Sequence, residues 1–464
     1  MGAVKERPKP VLLPELCKGC GRCIEACPKH CIVLGEEINQ VSGLVPVHID
    51  YDACNGCGLC ISACPEPYGL TAAGHDYELE DPAKLFGVAA HTQRRPVTTP
   101  DRVIPLPACE PLVLKGNYAA ALGALFAGCR HVFGYPITPS TEGAELMASF
   151  LPKLDGVFMQ AVSEVATVNH MYGAGGAGVP CMTFTSSPGF SLMLEGISYM
   201  IGAEVPAVFV NVMRGGPGLG NIAPSQADIK LMCRGLGHGD TQAIVLAPST
   251  PQEMLDLTVE AFRLAFLYRN PVIVAPDGYL GQMTGRVQLP DHMREPGLPG
   301  WAVYGDAAHR GNLINSIHLA ETDLEEHNRH LQRKFARITE VEQRATTYRA
   351  DDAEVLVVAT NTPARMAKGA IEHLRQRGIK AGLFNPVTLW PFPIKALAPL
   401  LDHVRDIVVV EASAGQLEDE VRLAMSHGGV GQQVRVHHLR RMGGILPQEP
   451  EILDRVYSLL EVAR

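Results

Sequence analysis

Residues 179–213 read VPCMTFTSSPGFSLMLEGISYMIGAEVPAVFVNVM, and the fold class of most of the chain follows from them. Two apolar runs rich in β-branched residues flank a segment of helical length that opens at Ser-Ser-Pro. A strand, a helix and a second strand in this order form a crossover unit with parallel strands. The most apolar long stretch, residues 191–213, contains Glu195, Glu204 and Pro206, so it does not predict a membrane-spanning helix.

The same alternation continues on both sides of this unit. Upstream, HVFGY (131–135) and GVFMQA (156–161) are predicted strands. Downstream, PVIVAPDG (271–278) is a further predicted strand. The sequence therefore predicts an α/β domain over 111–290, with a parallel sheet covered on both faces. A second, smaller α/β domain is predicted over 351–464.

Residues 291–350 are predicted to be a linker followed by an amphipathic helix. Leu324, Leu331, Phe335 and Ile338 recur at helical spacing among charged residues. We expect this face to pack on a domain rather than to bind a cofactor.

Composition excludes several classes of protein. The 464 residues are 46% hydrophobic and 19% charged, which excludes a disordered chain or a coiled coil. The net charge of −9 makes a nucleic-acid partner improbable. The first residues, MGAVKERPKPVLL, lack the apolar core of a signal peptide, so a cytoplasmic protein is expected.

The cysteines are concentrated near the N-terminus, and they carry the most specific motif. Residues 17–28 read CKGCGRCIEACP and residues 54–65 read CNGCGLCISACP. This duplicated C-x2-C-x2-C-x3-C-P is the run that holds [4Fe–4S] clusters in bacterial ferredoxins, where the fourth cysteine binds the other cluster. The predicted ligands are Cys17, Cys20, Cys23 and Cys64 for one cluster, and Cys54, Cys57, Cys60 and Cys27 for the second.

A disulfide framework and a pair of zinc knuckles are the alternatives for these cysteines. Reduced cytosolic conditions disfavour disulfides, and zinc knuckles rarely need the duplicated run. Cys31 lies just past the first motif and is predicted to be a packing thiol. The sequence thus predicts a two-cluster ferredoxin-like domain over 8–70 and a linker over 71–110.

One glycine motif is rejected as a nucleotide site. Residues 173–178 read GAGGAG, which matches G-x-G-x-x-G. A dinucleotide fingerprint requires a strand before the glycines and a helix after them. Here a predicted helix precedes the glycines and a predicted strand follows, so close helix–strand packing explains them better.

Several motifs resemble the α subunits of 2-oxoacid:ferredoxin oxidoreductases, over about residues 111–464. They are YPITPSTE (135–142), SEVA (163–166), TSSPGFSLMLEGISY (185–199), NVMRGGPGLGNIAPSQAD (211–228), FNPVTLWPFP (384–393) and VVEASAGQLEDEV (409–421). The pattern is most similar to subunits for branched-chain 2-oxoacids or 2-oxoglutarate. The N-terminal segment resembles the family's δ subunit, here fused to α.

The resemblance implies that the 111–290 domain binds the aminopyrimidine half of thiamine diphosphate. Glu164 matches the acidic residue that shares a proton with the pyrimidine ring. The loop residues Tyr135, Pro136 and Ile137 would also contact this cofactor.

The same resemblance assigns the substrate carboxylate to two residues. Thr138 and Arg214 match the family positions that contact it, and a guanidinium suits a carboxylate through its forked donors.

The resemblance further implies an enzyme that is active only as a complex. No G-D-G…N stretch that binds diphosphate through Mg²⁺ is found, and the family places it on a β subunit with a further cluster. A γ subunit, CoA, a 2-oxoacid and ferredoxin or another electron acceptor are the other expected partners. Low-potential clusters would also make the reverse reaction accessible.

Two alternatives remain open from the sequence. One is specificity for aryl 2-oxoacids such as phenylglyoxylate or indolepyruvate. The other is a non-catalytic subunit for electron transfer and assembly. Two clusters on a small domain also suggest oxygen sensitivity and anaerobic metabolism.

Overall fold

The computed structural model describes residues 7–39, 42–66, 69–72 and 98–462. The chain divides into two compact units, residues 1–93 and 94–464. Much of the predicted linker 71–110 lies outside the described residues. Within the described ranges, no helix is both long and apolar enough to cross a membrane.

The described part of the first unit contains two short antiparallel ribbons, two short α-helices and a 3-10 helix, Pro14–Leu16. Its elements are β1 (Pro10–Leu12), α1 (Arg22–Glu25), β2 (Ile32–Leu34), β3 (Val47–Ile49), α2 (Leu59–Ala63) and β4 (Leu70–Ala72). β1 pairs with β4, and β2 pairs with β3. Gly21 and Gly58 precede the two helices with φ of 76° and 78°, a left-handed conformation that favours glycine. Each cysteine motif therefore turns into its helix at the same point.

Cysteines form half of the small core of this unit. Its buried members are Cys23, Cys27, Cys31, Ile32, Val47, Ile49, Cys60 and Leu70. So few apolar side chains bury too little surface to stabilise a domain of this size alone. We therefore expect its stability to depend on what the thiols bind.

The second unit contains two α/β sheets. Its strands are β5 (Arg102–Pro105), β6 (Leu112–Lys115), β7 (His131–Gly134), β8 (Val157–Gln160), β9 (Cys181–Thr185), β10 (Ala207–Asn211), β11 (Ile244–Leu246), β12 (Pro271–Val274), β13 (Thr284–Val287), β14 (His292–Glu295), β15 (Ala345–Tyr348), β16 (Val355–Val358), β17 (Ala381–Pro386), β18 (Thr388–Trp390), β19 (Asp406–Glu411) and β20 (Arg435–Arg440). Its helices are α3 (Gly116–Phe126), α4 (Thr141–Phe150), α5 (Glu164–Gly176), α6 (Ser187–Gly202), α7 (Ile229–Arg234), α8 (Pro251–Tyr268), α9 (Gly278–Gln282), α10 (Glu321–Val341), α11 (Asn361–Gln376), α12 (Ile394–Leu397), α13 (Gln416–Gly428) and α14 (Glu449–Val462).

The larger sheet has seven strands in the order β18-β11-β12-β10-β9-β7-β8. The six strands from β7 to β12 pair in parallel, as the crossover units require. Every residue of β9 and β10 is buried, because helices cover both faces of the sheet. The predicted parallel α/β fold is confirmed.

The smaller sheet has five strands in the order β15-β17-β16-β19-β20. β16, β17, β19 and β20 pair in parallel, and β15 joins at the edge in the antiparallel direction. The helices α11 and α14 pack on this sheet around a core of its own, which includes Ile371 and Ile452.

One strand from the C-terminal half belongs to the larger sheet. The chain leaves β17 at Pro386 and enters β18, which pairs antiparallel with β11. The motif FNPVTLWPFP therefore contributes residues to both sheets, which the sequence analysis does not predict. The ring of Trp390 on β18 lies edge-on to Phe335 of α10, with centroids 6.2 Å apart.

The segments between the predicted domains contain ordered structure. β5 and β14 form an antiparallel ribbon, although the sequence assigns them to the linkers 71–110 and 291–350. The predicted amphipathic helix forms as α10, with Leu331, Phe335 and Ile338 buried. Leu324 is 41% exposed, because it lies in the first turn, so its predicted packing is wrong.

The two α/β halves are joined by a buried polar seam. Gln226 is fully buried, and its side-chain amide donates to Thr360 O and Asn361 Oδ1. Its Oε1 accepts the N–H of Ala412 at 2.8 Å. Nearby, the buried Asp277 accepts hydrogen bonds from the N–H and Oγ1 of Thr362. These bonds cross from one half to the other, so the halves form one body.

We expect the Gln226→Ala variant to lower the free energy of unfolding by about 2 kcal/mol, because the buried N–H of Ala412 loses its acceptor. Urea denaturation followed by circular dichroism measures this change. Gln332→Ala on an exposed position of α10 is the control, with an expected change of about 0.5 kcal/mol or less. Equal denaturation midpoints for the two variants would contradict the seam's role.

Candidate functional site

The predicted site residues of the second unit gather at the carboxyl edge of the larger sheet. Parallel strands end at the same edge, and ligands of open α/β sheets bind there. The loop 135–140 follows β7, Glu164 follows β8, and Arg214 lies shortly after β10. The first turn of α6 begins at the same edge, directly after β9.

Glu164 is the first residue of α5 and is 5% exposed. Ser163 caps this helix by accepting the N–H of Ala166 at 3.2 Å. A Cβ atom at Gly189 would lie 2.5 Å from both Glu164 Oε1 and Thr185 Oγ1. The carboxyl group therefore packs against the first turn of α6 beside a threonine hydroxyl, and only glycine leaves the space for it.

Two polar groups at this position have no hydrogen-bond partner within the described part of the chain. Thr185 Oγ1 is buried without a partner, and no donor there is paired with the carboxyl oxygens of Glu164. A buried carboxyl group beside an unpaired hydroxyl suits a ligand that carries ring nitrogens and an amino group. The aminopyrimidine of thiamine diphosphate fits this set of groups.

Arg214 and Thr138 are in direct contact. Arg214 Nη1 donates to Thr138 O at 2.9 Å, and Nη2 donates to Leu219 O at 3.1 Å. The backbone N–H of Arg214 donates to Ser187 Oγ at 3.0 Å. The first turn of α6 thus touches Glu164 through Gly189 and Arg214 through Ser187, which brings the three predicted residues to one place.

The loop before Thr138 is half-exposed, and hydrogen bonds from Asn117 and Gln282 hold it at Pro139. Tyr135 and Pro136 are exposed and Ile137 is half-buried, so all three are accessible from this edge of the sheet. Pro139 O accepts hydrogen bonds from Asn117 at 2.8 Å and Gln282 at 3.0 Å.

Sequence reasoning missed the residues that hold this loop. The carboxylate of Glu142 accepts hydrogen bonds from Gln282, Lys115 and Asn117. Burial alone would raise the pKa of Glu142, but these bonds outweigh burial and lower the pKa below its ordinary value. Asn117 and Gln282 lie far from the loop in the sequence and match no motif, so no local signal could have identified them.

A cavity of about 710 Å³ lies beside Arg214, between the two α/β halves. Ser187 and Asp228 line it from the larger sheet, and Ser413 and Gln416 line it from the C-terminal half. The cavity therefore depends on the seam that joins the halves.

Among the glycines of GAGGAG, Gly175 has the expected packing role, whereas a Cβ atom at Gly173 would meet nothing within 4 Å. A Cβ atom at Gly175 would lie 2.4 Å from Pro206 O, because α5 approaches the start of β10 closely. This contact explains the glycine without a nucleotide.

In the first unit, one of the two predicted ligand sets surrounds a cavity. Cys17, Cys20, Cys23 and Cys64 line it together. Cys17 Sγ also accepts the N–H of Val47 at 3.4 Å, the kind of bond that tunes a cluster's potential. Four thiols around one space fit a [4Fe–4S] cluster, in which each cysteine binds a different iron.

The second set also converges. Cys27 and Cys60 lie in the core, with Cys54 packed against it. Burial raises the pKa of Cys60, and the charges of Cys57 and Cys54 raise it further. Among the described side chains, no group of three or more His, Cys, Asp or Glu residues is close enough to hold a single metal ion. A [4Fe–4S] cluster needs a wider arrangement, because its cysteines bind different irons.

Cys31 has a closer relation to the second set than the sequence predicts. Its Sγ lies 3.3 Å from Cys27 Sγ, and the residue is buried. The predicted packing role accounts for its burial but not for this contact with a predicted ligand.

Three families match successive parts of the chain. Residues 16–67 match a 4Fe-4S dicluster domain. Residues 122–347 match the thiamine diphosphate-binding domain of pyruvate flavodoxin/ferredoxin oxidoreductase. Residues 353–452 match core domain II of pyruvate:ferredoxin oxidoreductase.

Similar proteins are named as subunits of oxidoreductases. The ketoisovalerate oxidoreductase subunit VorB of Methanothermobacter thermautotrophicus is 45% identical over 74% of this chain and 96% of its own length. The 2-oxoglutarate synthase subunit KorA of Archaeoglobus fulgidus is 40% identical over 67% of this chain and 90% of its own.

A solved structure has a related fold. It is a 2-oxoglutarate:ferredoxin oxidoreductase from Magnetococcus marinus with 2-oxoglutarate, coenzyme A and succinyl-CoA bound. The TM-score is 0.66 at 26% identity, over 75% of this chain and 65% of that one. The match thus spans about two thirds of that chain's length.

If Cys60 is a cluster ligand, the Cys60→Ala variant should lose one cluster, so that iron falls from about eight atoms per chain toward about four. Cys31→Ala should keep about eight, because Cys31 is outside the predicted ligand sets. The two thiols are equally buried, which makes them a matched pair. Iron analysis and electron paramagnetic resonance of anaerobically purified protein measure the outcome. Equal iron loss in both variants would refute the assignment.

Proposed function

Because the chain belongs to the 2-oxoacid:ferredoxin oxidoreductase family, we propose that it is the α subunit of a CoA-dependent enzyme with a fused ferredoxin-like domain. The reaction converts a 2-oxoacid, CoA and two oxidised one-electron acceptors to acyl-CoA, CO₂, a proton and two reduced acceptors. A branched-chain 2-oxoacid or 2-oxoglutarate is the favoured substrate, as the relatives' names indicate.

The observation that carries this proposal is the arrangement around the first turn of α6. Glu164 lies against Gly189, and Arg214 is bonded to Ser187 and Thr138. A buried carboxyl group and an arginine at one edge of a parallel sheet provide groups for a cofactor ring and for a carboxylate.

Glu164 serves to hold a proton against a ring nitrogen of the cofactor. Its carboxyl group is buried, and the adjacent Thr185 hydroxyl is unpaired. A bound pyrimidine ring would cover this carboxyl group, so that the two could share a proton. Thiamine diphosphate supplies the electron sink for decarboxylation when it is bound.

Arg214 serves to bind the carboxylate of the 2-oxoacid, with Thr138 beside it. The guanidinium donates only to the carbonyls of Thr138 and Leu219 among the described residues, and its Nε is buried without a partner. Since no carboxylate neutralises it there, its charge is available to a substrate anion.

The electrons leave one at a time through the first unit. Cys17, Cys20, Cys23 and Cys64 hold one cluster, and Cys54, Cys57, Cys60 and Cys27 hold the other. In ferredoxin-like domains, [4Fe–4S] clusters ligated by cysteine are usually of low potential, which suits transfer to ferredoxin. Ferredoxin or another acceptor then takes the electrons, and the reverse reaction is accessible.

The chain supplies one half of the active site. The other half, with the diphosphate, Mg²⁺ and a further cluster, belongs to a β subunit, and a γ subunit completes the complex. The cytoplasm is the proposed location, because thiolate ligands stay reduced there. Exposure of the clusters would make the enzyme oxygen-sensitive and suited to anaerobic metabolism.

In the assembled complex, Glu164→Gln should lower turnover at least about 100-fold, because the amide cannot exchange the proton. CoA-dependent viologen reduction measures turnover, and iron content should stay unchanged. Glu145→Gln at an exposed position of α4 is the matched control and should leave turnover unaltered.

Unchanged turnover in Glu164→Gln would support a non-catalytic assembly subunit instead. The same assay with a panel of 2-oxoacids tests the substrate class. We expect the highest kcat/KM for 2-oxoisovalerate or 2-oxoglutarate. A preference for phenylglyoxylate or indolepyruvate would identify an aryl-2-oxoacid enzyme.

A further inference from the structure

We propose that Asp228 is a positioning residue that holds Arg214 for the substrate carboxylate, acting through the hydroxyl of Ser187. This inference rests on the proposed function. Asp228 is 8% exposed, and its Oδ2 accepts Ser187 Oγ at 2.5 Å and Asn211 Nδ2 at 3.0 Å. Ser187 Oγ in turn accepts the backbone N–H of Arg214 at 3.0 Å.

Asp228 is not engaged as a helix cap, although it directly precedes α7. Its side chain makes no capping hydrogen bond to that helix. The carboxylate instead points back to the start of α6 and the end of β10, where Ser187 and Asn211 lie. Burying a carboxylate costs free energy unless hydrogen bonds compensate for the lost water. Here the compensating hydrogen bonds come from Ser187 and Asn211.

Burial raises the pKa of Asp228, and the hydrogen bonds from Ser187 and Asn211 oppose that rise. In its ionised form the carboxylate can only accept, so it sets the direction of the hydrogen bonds. Ser187 has one hydroxyl proton, and its two acceptors are Asp228 Oδ2 at 2.5 Å and Arg214 O at 3.4 Å. The bond to the carboxylate is shorter and charge-assisted, so the proton goes to Asp228. A lone pair of the hydroxyl oxygen is then left to accept the N–H of Arg214.

Arg214 depends on this hydroxyl more than its neighbours do. The N–H groups of Met213 and Gly215 donate to backbone carbonyls, those of Pro276 and Ala223. The N–H of Arg214 has Ser187 Oγ as its acceptor. The Asp228–Ser187 pair therefore fixes the backbone from which the Arg214 side chain projects.

The two charged groups are neighbours, because the charge of Arg214 acts on the Asp228 carboxyl group, but no ion pair joins them. Asp228 is bonded to the Arg214 backbone through Ser187, while the guanidinium donates its hydrogen bonds to carbonyl oxygens within the described residues. A direct ion pair would have engaged the donors that the substrate needs. Asp228, Ser187 and Arg214 all line the same cavity of about 710 Å³, so the pair acts next to the site.

The test uses the complete complex and steady-state kinetics. Asp228→Asn should raise KM for the 2-oxoacid about tenfold and change kcat less than about threefold, because the loss concerns orientation of a binding group. KM for CoA and iron content should stay the same. Asp240→Asn at an exposed position is the matched control.

Variants of Ser187 separate the relay from a general loss of structure. Ser187→Ala should raise KM as Asp228→Asn does, and Ser187→Thr should restore it, since threonine keeps the hydroxyl. The double variant Ser187→Ala/Asp228→Asn should show no further rise, because both changes break one chain of bonds. A wild-type KM in Ser187→Ala, or additive effects in the double variant, would overturn the proposal.

Arg214→Lys distinguishes failure of this inference from failure of the proposed function. If Arg214→Lys raises KM while Asp228→Asn and Ser187→Ala do not, Arg214 binds substrate without the relay. If Arg214→Lys also leaves KM unchanged, the assignment of Arg214 to the carboxylate fails with it.

Discussion

Gln226 lies fully buried between the two α/β halves, and every hydrogen bond of its side chain crosses the joint. This constraint matters because Gln226 lies in the same connection that carries Arg214 and Asp228, between β10 and α7. A long loop at a sheet edge would otherwise sample many conformations. By pairing with the C-terminal half, the connection gains fixed partners close to Asp228. The strand β18 strengthens this seam, because it comes from the C-terminal half and pairs with β11 of the larger sheet.

The proposed chemistry needs this rigidity because its groups come from distant parts of the chain. Glu164 opens one helix, Ser187 opens the next, and Thr138 lies on a loop that Asn117 and Gln282 hold from below. Each of these groups lies within a few residues of the end of a strand, so the parallel sheet brings them together. The charged side chains of this region also have different roles. The carboxylates of Glu142 and Asp228 accept hydrogen bonds that orient loops, and the Arg214 guanidinium, which is bonded only to carbonyl oxygens among the described residues, keeps its charge for the proposed substrate.

Local patterns in the sequence were sufficient for some features and not for others. The α/β class follows from strand–helix alternation, and the cluster motifs depend on cysteines spaced within twelve residues. Glu164, Thr138 and Arg214 were assigned by resemblance, and the structure brings them to one sheet edge. The exchange of β18 was missed, because Thr388–Trp390 looks the same in either sheet. The Ser187–Asp228 pair was missed because its partners are 41 residues apart and only packing brings them together.

The central claim is that this chain holds half of a 2-oxoacid site and receives its electrons in the first unit. Visible absorbance of the clusters, recorded anaerobically after a 2-oxoacid, CoA and thiamine diphosphate with Mg²⁺ are added, tests it most directly. Bleaching is expected only when the β subunit is present. Bleaching of the isolated chain, or turnover of the complex with this chain's clusters left oxidised, would contradict the account.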